Sequence, residues 1–251
     1  MSARGGLTAL LLWVLLTACS SPPPPAAPTP TPAPTPSPTP PLEPLVLDAS
    51  VGSGRLLIRL LTPSTGREAA QGALDSARAE IARVAAVPSG PELEAAEAAA
   101  RRTARALGSR APIDAAELRQ AYAIDRAVAR LLDAGMGDFL VDGGDVVRAQ
   151  GSQDATLGRG WHVAVFGPDG DVRGTARLRD QSLARRAGAS PACTTVAASA
   201  VLALGSRAAL EATGLAPEGP RDLGLRVERA DGGVDQNPVF QALLNPVGAA
   251  Y

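Results

Sequence analysis

The chain has few or none of several residues on which common functions depend. It contains no lysine, so its 24 basic residues are all arginine, and 25 acidic residues bring the formal net charge to −1. A net charge near zero gives no sign of nucleic-acid binding, so we expect no nucleic-acid partner. Two cysteines and one histidine, His162, are too few for a zinc cluster. A serine hydrolase is also excluded, because there is no G-x-S-x-G motif and no suitably placed histidine.

The N-terminus has the pattern of a bacterial lipoprotein signal. One early charge, Arg4, precedes an apolar run from Leu7 to Leu16, and Leu-Thr-Ala-Cys occupies residues 16–19. The run is shorter than the roughly 20 residues that span a membrane, and its small-residue finish is typical of a secretory peptide. We predict acylation of Cys19, which would tether the protein in the cell envelope on the periplasmic side. The alternative for Cys19 is an ordinary thiol in a cleaved signal.

The segment after the signal predicts a stalk. Residues 22–44 are mostly Pro, Thr, Ala and Ser, which favours extended polyproline II. At about 3.1 Å per residue, the stalk would hold the next domain about 70 Å from the lipid. The predicted organisation is therefore a signal peptide at 1–18, a lipidated cysteine and Pro/Thr-rich linker at 19–44, and one domain at 45–251.

Helical and strand patterns are mixed along the predicted domain. Apolar residues at helical spacing predict helices at 68–86, 91–107, 114–134, 192–204 and 206–213. Alternation and turn signals predict strands at 55–61, 139–141, 161–166, 172–178 and 223–229. The strands at 161–166 and 172–178 are expected to form a hairpin, and 223–229 an edge or half-exposed strand. The mixture predicts an α+β (mixed α/β) domain.

Three central segments share their order and residues with one known family. They read D-A-A-E-L-R-Q-A-Y-A-I-D-R-A at 114–127, D-G-G-D-V at 142–146 and W-H-V-A-V-F-G-P at 161–168. They resemble the FAD:protein FMN transferases, the ApbE family of periplasmic lipoproteins, in which D-L-G-G-I-A-K-G-Y-A-V-D-R-A leads to G-G-D-I and then to W-x-V-x-I-x-x-P. The stretch T-T-V-A-A-S-A-V-L-A-L-G at 194–205 is a weaker counterpart of a later helix of that family.

The resemblance implies a flavin transferase. Such enzymes cleave FAD with Mg²⁺ and attach FMN to a threonine of a target redox protein, so the resemblance implies FAD and Mg²⁺ as cofactors and a flavoprotein acceptor as partner. Thr195 and Ser199 fall on metal-binding positions of the family. The positions that match its cofactor-binding motifs are Tyr122, Asp125, Gly143, Gly144 and Asp145.

The chain differs from the family pattern at positions on which the transfer reaction depends. Ala116 and Glu117 replace Gly-Gly, Gln120 replaces Lys, and Thr195 replaces the metal-binding Asp. The family's T-S-G and H-I-x-D-P-x-T-G segments have no counterpart between residues 178 and 192. Two functions therefore remain: a flavin transferase whose catalysis is weakened or lost, and a non-catalytic lipoprotein that binds a nucleotide or a redox partner. No catalytic residue is assigned.

The helix and turn residues also have structural interpretations. Asp114 and Glu117 have the spacing of a capping box. Tyr122 and Asp125 are expected on the polar side of their helix, and 143–145 is also typical of a simple turn.

Other polar residues are predicted to be structural. His162 is expected to be half-buried on its strand, sharing a face with Ala164 and Phe166. Cys193 is expected to be a small buried side chain rather than a nucleophile. The pairs Arg101-Arg102 and Arg185-Arg186 are expected to be solvated.

Overall fold

The strands form two antiparallel sheets. A computed structural model describes residues 42–87, 89–153, 159–186, 188–216 and 220–246, so the predicted signal, Cys19 and nearly all of the linker lie outside it. The strands are β1 (Leu42–Val51), β2 (Gly54–Pro63), β3 (Phe139–Asp142), β4 (Val146–Gln150), β5 (Trp161–Phe166), β6 (Val172–Leu178), β7 (Gln181–Arg185), β8 (Ala192–Ala197), β9 (Gly224–Glu228), β10 (Val234–Gln236) and β11 (Leu244–Pro246). The larger sheet has the order β1-β2-β3-β4-β7-β8-β9-β10, and the smaller one β11-β6-β5.

The helices begin and end where their sequence favours it. They are α1 (Arg67–Ala86), α2 (Pro91–Ala106), α3 (Ala115–Asp133), α4 (Ala200–Thr213) and α5 (Pro238–Leu243). Pro91 opens α2, a position where no helical N–H is needed. Gly214 ends α4 with φ +66°, in the left-handed region that favours glycine. Among the described residues, no helix is both long enough and apolar enough to cross a bilayer.

The larger sheet separates two hydrophobic clusters. Val146 and Ala184 face the first cluster, which the four long helices cover, whereas their neighbours Val147 and Leu183 face the second. The second cluster lies between this sheet and the smaller one, and Trp161 belongs to it. Because successive strand residues point to opposite faces, the central strands are apolar on both sides. The domain therefore has three layers, and its α+β class confirms the prediction. The described residues from 42 to 246 fall in one compact unit.

Most predicted elements are present. The helices expected at 68–86 and 91–107 correspond to α1 and α2, and the expected hairpin is the β5–β6 pair. Pairing between β1 and β2 runs from Leu42 to Pro63, so residues 42–44, which were assigned to the linker, belong to a strand.

Two predictions near the C-terminus are wrong. Residues 192–197 form the strand β8 and not the start of a helix. All six residues of β8 are buried, so the strand shows none of the polar alternation that identifies a half-exposed strand. Residues 224–228 lie inside the sheet, between β8 and β10, and all five are buried. They are therefore neither an edge strand nor a half-exposed one.

Candidate functional site

A cleft of about 450 Å³ lies beside the turn that joins β3 to β4. The start of β2 and the first turns of α3 supply its other walls. Three carboxylates and one guanidinium line it, so acidic groups outnumber basic ones. Its lining includes Arg55, Glu117, Gln120, Asp142, Gly144 and Asp145.

The turn at 143–145 satisfies its own backbone polar groups. The N–H of Gly143 donates to the Val146 carbonyl at 2.9 Å. The N–H of Gly144 donates to the Asp142 carboxylate at 2.7 Å, and that of Asp145 donates to the Gly143 carbonyl at 3.1 Å. Loops that bind phosphate present unused N–H groups to the anion. The three N–H groups here are already used, which favours the interpretation of this motif as a turn.

Each glycine of this turn has a separate reason for being glycine. Gly144 has φ +81°, a backbone conformation that side chains with a Cβ rarely adopt, and the space beside it is open. A Cβ on Gly143 would lie 3.0 Å from Leu56 Cδ2 and 3.0 Å from Gln120 Nε2. The local fold therefore explains both glycines without a ligand.

Gln120 joins the turn to the start of β2. Its side-chain amide donates to the Gly143 carbonyl at 2.9 Å and to the Arg55 carbonyl at 3.4 Å. The side chain thus supports the wall of the cleft. It carries no charge at the position where the resembling family has lysine.

Glu117 lies at the junction of this cleft with a second one of about 540 Å³. Its carboxylate accepts hydrogen bonds from Arg186 and from Arg207, which is 1% exposed. Arg207 also donates to the Arg185 carbonyl at 3.1 Å and pairs with Glu211 at 3.2 Å. The carboxylate of Glu117 is therefore already bound by two guanidinium groups.

These contacts correct two predictions. The capping box is half right, because Asp114 caps α3 by accepting from the N–H groups of Ala116 and Glu117 at 2.9 and 3.0 Å, but the Glu117 side chain pairs with arginines instead. Arg185 is not solvated. It is 9% exposed, it donates to the carbonyls of Gly144 and Ala164, and its guanidinium lies 4.7 Å from the centre of the Phe166 ring.

Asp125 connects two helices and does not face the cleft. Its carboxylate accepts from the N–H groups of Ala200 and Val201 at 2.8 and 3.1 Å, at the first turn of α4. Burial raises the pKa of Asp125, and these two hydrogen bonds oppose that rise. Asp125 is thus a remote cap of α4, and it is half-buried like Tyr122 on the same helix.

Tyr122 lines a different, smaller pocket of about 230 Å³. Its hydroxyl donates to the Glu92 carboxylate at 2.8 Å, and Val84 and Leu93 supply apolar walls. Burial is the main cause that raises the pKa of Tyr122. Of the five cofactor-binding candidates, the fold therefore brings only Gly143, Gly144 and Asp145 to one cleft.

The two predicted metal-binding positions serve the fold. Thr195 lies on β8 with 0% exposure, and its hydroxyl donates to the Ala203 carbonyl at 2.7 Å. Ser199 caps α4 by accepting from the Leu202 N–H at 3.3 Å. Within the described ranges, no group of three His, Cys, Asp or Glu side chains could hold a metal ion. The two positions matched to the family's metal ligands therefore present no carboxylate to Mg²⁺.

His162 and Cys193 have the environments that the sequence predicts. His162 is half-buried on the same face of β5 as Ala164 and Phe166. Burial, followed by the nearby arginines 159 and 177, lowers the pKa of His162. Cys193 is 1% exposed, and burial raises its pKa to about 12, so its thiol stays protonated.

Solved structures of known proteins share this fold. The flavin transferase ApbE from Vibrio cholerae is 14% identical, with a TM-score of 0.55 over 81% of this chain and 100% of that one. The ApbE protein from Thermotoga maritima is 15% identical, with a TM-score of 0.58 over 81% and 100%. The apo form of the flavinyl transferase ApbE from Pseudomonas stutzeri is 14% identical, with a TM-score of 0.52 over 84% and 98%.

Sequence comparison assigns the family. No curated protein matches the chain closely enough to count as a relative. A model of the ApbE family matches residues 48–187, which is more than half of the chain and contains α3, the β3–β4 turn and the β5–β6 hairpin. The chain therefore belongs to the ApbE family.

Proposed function

We propose that the chain is an ApbE-family flavin transferase homologue in which transfer of FMN from FAD is weakened or lost. The observation that carries this proposal is the environment of Thr195, which replaces the Asp expected to hold Mg²⁺. Its hydroxyl is 0% exposed and is bound to the Ala203 carbonyl. Transfer of a phosphoryl-type group depends on positioning and on stabilisation of charge, and a buried hydroxyl already in use supplies neither.

The cleft also lacks the contacts expected for a diphosphate. The N–H groups of the 143–145 turn are used internally, and Gln120 brings no positive charge. Even with the arginines of the second cleft included, acidic side chains outnumber basic ones around Glu117. Carboxylates repel phosphate, so the proposal predicts weak binding of FAD.

A retained binding role is the second candidate. The domain keeps a buried core and a 450 Å³ cleft while it lacks the expected metal ligand. Because the acidic walls oppose a nucleotide, a redox protein is the better candidate for the bound partner. The signal pattern at 16–19 and the Pro-rich segment support a lipid anchor at Cys19, which would hold the domain on the periplasmic side of a membrane.

Titration of the full chain with FAD, with Mg²⁺ or with EDTA, tests this proposal. We expect any dissociation constant to exceed about 100 µM and to be unaffected by Mg²⁺, because the described residues offer no ligand cluster. Micromolar binding that strengthens with Mg²⁺ would contradict it. The Asp145→Asn variant is a useful companion, because it removes one carboxylate from the cleft without breaking the ion pairs of Glu117. FAD affinity should then rise if charge repulsion is the obstacle.

A further inference from the structure

A fourth pocket, of about 480 Å³, lies at the end of α2 and shares no residue with the cleft at 143–145. Its polar lining consists of Arg101, Arg105, Arg110 and Ser109, and small apolar side chains complete the wall. No carboxylate lines it among the residues that the structure describes. It is much larger than a phosphate group.

The arginines exceed what the local structure needs. Arg101 pairs with Glu97, one turn earlier on α2. Arg105 and Arg110 are exposed and form no ion pair within the described part of the chain. The C-terminal end of a helix carries about half a negative charge. The three guanidinium groups carry three positive charges. The carboxylate of Glu97 offsets one of them and the helix end about half of another, so an excess of about one and a half positive charges remains around the pocket.

Ser109 adds a neutral donor to this charge. It is 4% exposed, and its Oγ accepts a hydrogen bond from the Ala111 N–H at 3.1 Å. The hydroxyl proton is not used in any hydrogen bond among the described residues, so it can be donated to a ligand. Guanidinium groups bind phosphate oxygens through two parallel N–H bonds. The pocket thus combines charge, forked donors and a hydroxyl.

We propose that this pocket binds a phosphate-bearing anion. Arg105 and Arg110 supply the charge-assisted hydrogen bonds, and the Ser109 hydroxyl fixes the orientation of the ligand. Either a soluble phosphate compound or the headgroup of an anionic lipid provides this chemistry, and the two sources give different results in the test below.

The test uses the full chain with Cys19→Ser, so that no acyl chain contributes to binding. Inorganic pyrophosphate is titrated calorimetrically at low salt, and sedimentation is measured with phosphatidylglycerol and with phosphatidylcholine vesicles. We expect binding to be saturable and to weaken about tenfold in Arg105→Gln and in Arg110→Gln. The matched control is Arg102→Gln, because Arg102 is exposed on the same helix and does not line the pocket. It should change affinity less than twofold.

Each outcome either supports the site or overturns it. Pyrophosphate binding without vesicle binding identifies a soluble ligand, whereas binding to phosphatidylglycerol that Arg105→Gln removes identifies a lipid headgroup. The proposal is overturned if neither probe binds, or if Arg102→Gln weakens binding as much as the pocket variants do. Unchanged thermal unfolding of Arg105→Gln and Arg110→Gln excludes a folding defect, because both side chains are exposed and unpaired in the described part of the chain.

Discussion

The substitution Thr195→Asp tests whether this position can hold a metal. The native hydroxyl is 0% exposed and donates to the Ala203 carbonyl at 2.7 Å. A carboxylate there has no basic partner on β8 and is removed from water, which costs several kcal/mol per ion. The new side chain would avoid part of this cost by staying protonated. Protonation itself costs about 4 kcal/mol if the pKa of the side chain rises by about three units. Against a typical total stability of about 5–15 kcal/mol, the loss is large.

Urea unfolding at neutral pH and near pH 4 measures this loss. Because the folded pKa of the new Asp would lie above its unfolded value, the destabilisation grows as the pH rises from the unfolded value to the folded one, and it shrinks in acid. Thr195→Val is the matched control, since it removes only a hydrogen bond and should cost about 1 kcal/mol at either pH. Mg²⁺ should not restore stability. If Thr195→Asp were as stable as Thr195→Val at neutral pH, or if Mg²⁺ stabilised it, the argument from burial would be wrong.

Four further predictions concern the fold, the turn and the anchor. Hydrogen bonds from Arg83, and to a smaller extent from Arg126 and Arg130, lower the pKa of Glu80 from 4.5 to about 2. Glu80→Gln should therefore lower the free energy of unfolding by about 2 kcal/mol at neutral pH, and this loss should disappear as the pH falls from 4.5 to about 2. The control is Glu68→Gln, because Glu68 is exposed on the same helix. Asp125→Ala should cost about 2 kcal/mol in urea unfolding by removing the cap of α4. Gly144→Val should lower the free energy of unfolding by about 1–3 kcal/mol, because valine rarely adopts a φ of +81°. It should not change the affinity of the folded protein for FAD. In cell fractionation, Cys19→Ser should release the protein from washed membranes, and retention on the membrane would contradict the lipid anchor.

Local signals in the sequence were sufficient for α1, α2, α3 and the hairpin. The start of α3 can be predicted from Asp114, because its carboxylate caps the helix by accepting hydrogen bonds from two N–H groups that lie two and three residues later. The β5–β6 hairpin follows from the Gly-Pro-Asp-Gly turn and from the alternation of residues 161–166. Both signals act within a few residues. They depend on no distant part of the chain.

Distant contacts explain what the sequence did not reveal. The strand β8 is buried on both faces, so its Ala-rich sequence matches a helix as well as a strand. The pairing of Glu117 with Arg207 spans ninety residues, and Asp125 caps a helix seventy-five residues away. No motif or spacing links such residues. Their roles appear only once the helices pack against one sheet.

A covalent transfer assay tests the central claim most directly. The full chain would be incubated with FAD, Mg²⁺ and an acceptor domain that carries a target threonine, and covalent flavin would be detected by fluorescence on a denaturing gel. An active flavin transferase assayed in parallel shows that the acceptor is competent. Loss of even one charge-stabilising contact commonly lowers a rate by about 10²–10³, so we expect labelling at least a hundredfold slower than the active enzyme gives, with or without Mg²⁺. Rapid labelling that depends on Mg²⁺ would contradict the account and would establish the chain as an active flavin transferase.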